Sequence, residues 1–191
     1  MALVNGFGFN DRKYPSKINK VHTPQYSKWR MIINRCFNEK YKTKHPNYAD
    51  CKMDERFLDY SYFYEWYNQN LISGEHTFQL DKDLLVRGNK EYHPDKCVFL
   101  PREINNTFIR REAGRGECLI GVIRTHGVFS AQVGIGGECV FLGHFNSEVR
   151  AFQAYKKAKE RIIRDLAEKY RDQIDVRAYS ALMNYTVEMT D

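Results

Sequence analysis

The sequence lacks a long apolar segment. No stretch approaches the ~20 apolar residues that a membrane-spanning helix requires, and residues 1–10 have neither the basic start nor the apolar run of a signal peptide. Apolar residues still make up 42% of the 191 residues, which is enough to build a folded core. We therefore expect a cytoplasmic protein with no membrane partner.

Paired cysteine motifs are also missing. The five cysteines are odd in number, widely spaced and without a Cys-x-x-Cys pair: Cys36, Cys51, Cys97, Cys118 and Cys139. This pattern argues against a disulfide framework and against a standard zinc finger. We expect reduced and mostly buried thiols.

Positive charge is abundant and unevenly distributed. Residues 1–50 carry ten lysines and arginines against three acids, a net charge of +7, and residues 118–171 carry nine against five, a net charge of +4. The segments between and after them are mildly acidic. Two basic blocks favour a polyanionic partner, because neutralised phosphates release their counterions. The alternative is that the lysines only solvate helix surfaces.

The C-terminal half has the pattern of three short strands and one long helix. The strands are predicted at residues 121–124, 128–133 and 140–143, with glycines in the two turns. Asn146 or Ser147 can cap the helix that follows. Its apolar residues recur at three- and four-residue steps, namely Val149, Phe152, Tyr155, Ala158, Ile162 and Leu166. The opposite helix face is basic.

The N-terminal part predicts an arm followed by helices. Residues 1–22 are rich in Gly, Asn and Lys and have no apolar period, so we expect a basic flexible arm that lies along a phosphate backbone. Thr23-Pro24 predicts the start of a helix. A second helix, rich in aromatic residues, is predicted at residues 57–71, and its ring spacing indicates a core rather than base stacking.

Polar residues of these elements are the candidate DNA contacts. The candidates on the first helix are Lys28, Arg30 and Arg35. Those of the predicted sheet are Arg124, His126 and Gln132, and those of the long helix are Lys156, Lys157 and Arg161.

The central segment carries the candidate chemistry. Strand alternation would place Asp81 and Asp83 on one face, about 6 to 7 Å apart along the backbone, where they could share a divalent cation such as Mg²⁺. His93 could act as a general base if the next strand brings it across. In the alternative interpretation, both aspartates are turn residues that pair with neighbouring cations.

Two family resemblances follow from these segments. Leu142-Gly143-His144-Phe145, followed by Ala151, Tyr155 and Ala158 on the helix, resembles the Apetala-type DNA-binding domain of plant transcription factors and bacteriophage homing nucleases. The resemblance implies a three-stranded sheet that enters the major groove, with Gly143 permitting close approach of the helix. The positions that align with its base-reading Arg and Trp residues hold Ile123, Thr125, Gln132, Gly134 and Phe141.

The central segment is similar to the ββα-metal unit of HNH nucleases, especially those of bacteriophage homing endonucleases. Residues 80–83, the Gly88-Asn89 turn, residues 92–101 and a helix through Ile104 follow its strand, loop, strand and helix order. The resemblance implies that Asp81 is a metal ligand, but Lys82 stands where the family has its histidine base. Asp81, Asp83 and His93 are therefore the candidate catalytic residues, with Asp81 and Asp83 as metal ligands.

These observations predict an α+β protein with N-terminal helices, a central HNH-like ββα unit and a C-terminal three-stranded antiparallel sheet packed on one long helix. The expected division is an arm at 1–22, a helical and ββα domain at 23–117, and an Apetala-type domain with a tail at 118–191. Three functions stay open. They are a phage-type protein that binds double-stranded DNA through a degenerate nuclease scaffold, an active metal-dependent HNH endonuclease or nickase, and a factor that inhibits a host protein. A phage protein would act in the host cytoplasm.

Overall fold

The computed structural model describes residues 3–72, 78–109 and 117–190, which form an α+β fold. The helices in these ranges are α1 (Pro24–Phe37), α2 (Glu39–Lys44), α3 (Tyr60–Asn70), α4 (Arg102–Thr107), α5 (Glu148–Lys169) and α6 (Val176–Met183). The strands are β1 (Lys17–Ile18), β2 (Val21–His22), β3 (Lys52–Met53), β4 (Phe78–Asp81), β5 (Glu91–Tyr92), β6 (Val98–Pro101), β7 (Val122–Thr125), β8 (Val128–Ile135) and β9 (Glu138–Phe145). In this part of the chain, no helix combines the length and the apolar character that crossing a membrane needs.

The chain divides into two compact units. The first contains Met1–Leu100 and Gln173–Ala178, and the second contains Pro101–Asp172 and Tyr179–Asp191. The expected architecture is confirmed at this level: helices and small sheets come first, and a three-stranded antiparallel sheet packed on a long helix comes last.

Helix α1 begins where its capping sequence predicts. The side chain of Thr23 accepts a hydrogen bond from the Tyr26 amide over 3.3 Å, and Pro24 occupies the first helical turn, where a missing N–H costs nothing. Its apolar face buries Trp29 and Ile33 completely. The Trp29 indole donates to the carbonyl of Phe57 over 2.7 Å, which fixes α1 to the segment before α3.

The predicted aromatic helix is interrupted at its start. A short 3₁₀ turn covers Glu55–Leu58, and Asp59 then caps α3 by accepting from the Ser61 amide over 2.8 Å. Phe57, Tyr60 and Phe63 have no solvent exposure. The interpretation of these aromatic residues as core is therefore confirmed.

Residues 3–22 pack against this core instead of forming an extended arm. The Phe9 amide donates to the Leu58 carbonyl over 2.8 Å, and the Tyr60 amide donates to the Phe9 carbonyl over 2.9 Å. Tyr14 stacks on Tyr64 with ring centroids 4.1 Å apart. Main-chain hydrogen bonds of Phe9 and the ring of Tyr14 make these contacts, so the segment packs on the core although its sequence has no apolar period.

The central strands pair differently from a simple hairpin. Strand β4 pairs with β6, whereas β5 pairs with β3 in parallel through the Lys52–Glu91 and Met53–Tyr92 positions. The segment after β4 therefore leads away to a second small sheet before the chain returns in β6.

In the second unit, β7, β8 and β9 form an antiparallel sheet in that order. His126 and Gly127 have φ of 50° and 83°, and Gly136 and Gly137 have φ of 61° and 96°. Positive φ at both central residues is the two-residue hairpin geometry that matches strand twist. The three predicted strands are confirmed, and β8 and β9 extend beyond their predicted ends.

Helix α5 covers one face of this sheet. Ser147 caps it by accepting from the Arg150 amide over 3.3 Å. The buried cluster is formed by Val122, Ala131, Val133, Ala151, Phe152, Tyr155 and Val187. The predicted apolar face needs one correction, because Val149 is 47% exposed whereas Ile163 is buried. The tail covers this core through Val187, and its first part is helical.

Candidate functional site

The sheet of the second unit presents a face opposite to α5. Side chains alternate along β8, so Ala131 and Val133 point to the core while Ser130 and Gln132 point away. On the same outer face, Phe141 of β9 lies opposite Gln132 and is 58% exposed. The face thus combines hydrogen-bonding groups with an exposed aromatic ring.

A polar pair fixes part of this outer face. Ser130 and His144 lie opposite each other in the ladder, and the Ser130 hydroxyl is 2.9 Å from His144 Nδ1. The His144 ring also meets the Phe141 ring edge-on, with centroids 4.9 Å apart. Because both contacts restrict its rotation, the imidazole is held at the surface with Nε2 away from Ser130.

The three predicted sheet contacts do not share one surface. Arg124 lies opposite Phe129 in the ladder, and its guanidinium is 5.4 Å from the Phe129 ring centre, on the side of the sheet that faces α5. His126 occupies the hairpin turn with positive φ. Gln132 alone of the three belongs to the outer face.

The basic residues of α5 also differ from one another. Lys156 donates to the Val187 carbonyl over 2.6 Å and lies 3.4 Å from Glu160, so it holds the tail. Arg161 is 81% exposed and forms a loose pair with Asp165 at 3.7 Å. Lys157 is exposed. Lys157 and Arg161 are therefore better placed than Lys156 to meet an external anion.

The candidates on α1 separate into two groups. Lys28 and Arg35 are seven residues apart, which is nearly two helical turns, and both are half-buried on one face. Arg30 is exposed on the other face, where its guanidinium lies 3.3 Å from His22 Nε2 and 5.9 Å from the Tyr26 ring centre.

The two central aspartates adopt a turn geometry. Strand β4 ends at Asp81, whose Oδ1 accepts from the Asp83 amide over 3.0 Å and from the Leu84 amide over 2.8 Å. The expectation of strand alternation between Asp81 and Asp83 is wrong, because Asp83 lies beyond the strand. The Asp83 carboxylate instead pairs with Lys82 over 3.2 Å.

The carboxyl of Asp81 nevertheless has an unusually high pKa. Burial raises the pKa of its carboxyl to about 6, and the charge of Asp83 acts in the same direction. The two backbone amides and Lys82 oppose this rise. A carboxyl that titrates near neutrality at the end of a strand is a chemically distinctive group.

His93 lies in a different cluster. Its Nε2 is 3.2 Å from Asp54 Oδ2 and 3.0 Å from the Arg56 guanidinium, and its Nδ1 accepts from the Asp95 amide over 3.1 Å. Pairing of β5 with β3 accounts for this position, because Asp54 directly follows β3. Within the described ranges, no group of three His, Cys, Asp or Glu side chains is arranged to hold a metal ion.

Two further residues shape these clusters, and the sequence had predicted a turn at one of them, Asn89, but no role for the other. Asn89 donates from Nδ2 to the Lys82 and Glu91 carbonyls over 2.6 and 2.7 Å, so it closes the loop between β4 and β5. Asp54 caps the 3₁₀ turn and binds Arg56 over 2.8 Å. The Asp-Glu-Arg order of residues 54–56 was an available signal for such a cap.

The geometry thus establishes a three-stranded antiparallel sheet on a long helix, a carboxylate buried in a turn and a half-buried cation group. Comparison with protein-family models, with curated proteins and with solved structures found no match for this chain.

Proposed function

We propose that this chain binds double-stranded DNA, with the outer face of the β7–β9 sheet as its contact surface. The observation that carries the proposal is the combination of Gln132, Ser130 and His144 with exposed Phe141 on that face. Amide and imidazole groups can hydrogen-bond to base edges or phosphates, and an aromatic ring offers apolar contact.

Charge supports a polyanionic partner. The residues 118–171 that contain this sheet and α5 have a net charge of +4. Exposed Lys157 and Arg161 add cations that are not committed to the core. Phosphate neutralisation of this kind supplies affinity without sequence information.

The resemblance to Apetala-type domains adds a second line of support, since the order of three strands and a covering helix agrees with that family. The aligned base-reading positions hold Ile123, Thr125, Gln132, Gly134 and Phe141 rather than Arg and Trp. We therefore propose binding that is dominated by phosphate contacts and only weakly selective for sequence.

A gel-shift titration with a duplex of random sequence tests the proposal. With about six phosphate contacts, log affinity should fall with log salt at a slope of roughly −5. A double variant, Gln132→Ala with His144→Ala, should weaken binding, whereas Gln69→Ala, at an exposed position of α3 in the first unit, should not. Absent binding at low salt, or affinity that ignores salt, would contradict DNA binding.

A metal-dependent HNH-type nuclease is the second candidate, and Asp81 is the observation that favours it. Its buried carboxyl with a pKa near 6 stands at the strand end where the resemblance places a metal ligand. The described residues do not fit a metal site, because Asp83 pairs with Lys82 and His93 pairs with Asp54. We therefore place DNA binding ahead of DNA cleavage.

A further inference from the structure

The first unit contains two half-buried cations without matching acids, Lys28 and Arg35, which lie on one face of α1. Lys82 follows β4 with only 12% of its side chain exposed, but it pairs with Asp83 over 3.2 Å. Lys28 reaches toward the same strand, because its Nζ donates to Gln79 of β4 over 3.0 Å. This hydrogen bond holds Lys28 between α1 and β4, and Lys28 shares one half-buried face of α1 with Arg35.

Neutral aromatic groups surround Arg35. Its Nη1 donates to the Tyr92 hydroxyl over 2.8 Å, and its guanidinium carbon lies 4.5 Å from the Tyr48 ring centre. Its Nε is buried and has no hydrogen-bond partner. Among the described residues, no carboxylate lies within 4.0 Å of Arg35 or of Lys28. A buried donor without a partner is costly, so this edge of the guanidinium favours an added acceptor.

The nearby thiols do not supply the missing negative charge. Burial raises the pKa of Cys36 to about 12, even though Lys42, Arg35 and Lys82 each act to lower it. Burial also raises the pKa of Cys51, against the same three cations and Lys90. Both thiols therefore stay neutral at physiological pH.

The charged form of Lys28 is disfavoured in this arrangement. Burial, together with the charge of Arg35, lowers the pKa of its ammonium to about 8. A bound anion would offset both effects, because it replaces lost solvation and screens the repulsion between the two cations.

We propose that Lys28 and Arg35 form a half-buried site for a phosphate-type oxyanion in the first unit. A guanidinium whose ring contact holds it in place can present parallel N–H groups to phosphate oxygens, and the Lys28 ammonium adds charge. The site does not depend on the sheet of the second unit. The phosphate comes from one of two sources, the DNA backbone or free inorganic phosphate.

Thermal unfolding in phosphate and in chloride at equal ionic strength tests the site. For the wild type, the melting temperature should rise with phosphate concentration and saturate, as expected for a ligand that binds the folded state. In Lys28→Met, the melting temperature in chloride should equal or exceed that of the wild type, since a desolvated cation is removed. Its apparent phosphate affinity should be weaker by about tenfold or more. Lys40→Met, at an exposed position of α2, is the matched control and should behave as the wild type.

Arg35→Lys provides a second variant, because it keeps the charge and removes the planar fork. It should weaken phosphate binding while preserving the fold. An equal response to phosphate in the wild type, Lys28→Met, Arg35→Lys and Lys40→Met would overturn the proposal, as would no response in the wild type.

A DNA titration identifies the source. If backbone phosphate occupies the site, Lys28→Met should reduce the salt slope of duplex binding by about 1, and Lys40→Met should not. If only inorganic phosphate responds to Lys28→Met, the site binds free phosphate. Both results support the oxyanion site. Unchanged DNA binding in the sheet-face variant, together with an intact phosphate response, would overturn the proposed function alone.

Discussion

Gly121 lies directly against the ring of Tyr155. A Cβ added at Gly121 would be 2.1 Å from Tyr155 Cδ2, and the φ of Gly121 is +75°. Gly121→Ala should therefore combine overpacking with backbone strain and lower the free energy of unfolding by about 2 kcal/mol or more. Urea denaturation measures this change.

Gly127→Ala is the matched control for that substitution. Gly127 has φ of +83°, but a Cβ there would meet nothing within 4 Å. Gly127→Ala should lower the free energy of unfolding only through backbone strain, by about 1 kcal/mol. Equal losses in the two variants would show that the contact with Tyr155 contributes nothing.

The contact between Gly121 and Tyr155 also illustrates how far glycine positions can be interpreted from the sequence. Glycine was expected to allow close approach of the helix at Gly143, but a Cβ at Gly143 would meet only Phe145, at an ordinary 3.6 Å. Gly143 has φ of +133° beside the register shift in the β8–β9 ladder. A glycine in a strand pattern indicates either close approach or special backbone geometry, and only the packed structure tells which.

Local sequence patterns predicted helices, strands and turns better than they predicted which strands pair. Thr23 and Ser147 cap helices as their sequence context predicts, and the turns at Gly127 and Gly136 follow from local residue types. The parallel pairing of β5 with β3 joins residues about forty positions apart. Such pairing leaves no local signature, so His93 could not be assigned to Asp54 in advance.

Asp81 should make stability depend on pH. Its pKa is about 6 in the folded protein against 3.8 for an ordinary aspartate, so the folded state binds this proton more tightly. The free energy of unfolding should therefore fall as pH rises from about 4 to 6, by roughly 2 kcal/mol from this group. Asp81→Asn removes the titration while its amide oxygen can still accept from the two backbone amides.

The measurement is urea denaturation of both proteins between pH 4 and pH 7. Asp81→Asn should gain stability relative to the wild type across that range, and Asp172→Asn, at an exposed position, should follow the wild type. Parallel profiles of Asp81→Asn and the wild type would show that the carboxyl titrates normally.

Lys156 and Lys157 are adjacent, yet the structure predicts different defects. Lys156→Ala removes the bond to the Val187 carbonyl and the contact with Glu160, so it should destabilise the second unit by about 1 kcal/mol. Lys157→Ala should leave stability unchanged within about 0.5 kcal/mol, because the side chain is exposed.

In DNA binding, by contrast, the loss of Lys157 should cause a larger defect than the loss of Lys156. Lys157→Ala together with Arg161→Ala should weaken duplex affinity and lower the salt slope by up to about 2, if both cations contact phosphate. Gel shifts at three salt concentrations measure both quantities. Unchanged affinity in this folded double variant would restrict DNA contact to the sheet face that carries Gln132.

Plasmid cleavage separates a binding protein from a nuclease. Supercoiled DNA incubated with wild-type protein and Mg²⁺ or Mn²⁺ should show little or no nicking, because Lys82 stands where the resemblance places the histidine base. The absence of a positioned general base typically forfeits about 10²- to 10⁴-fold in rate. Any nicking that occurs should require the cation and disappear in Asp81→Asn.

A histidine introduced at position 82 makes the test sharper. Lys82→His should leave nicking at the wild-type level, because His93 is engaged with Asp54 and Asp81 already accepts two backbone hydrogen bonds. Asn89→Ala provides a folding control, since it opens the same loop without placing an imidazole there. A strong rise in nicking in Lys82→His alone would show that the remaining ligands are in place, and would favour DNA cleavage over DNA binding as the chemistry of the central segment. Rapid cutting by the wild type that survives in Asp81→Asn would place the active site elsewhere in the chain.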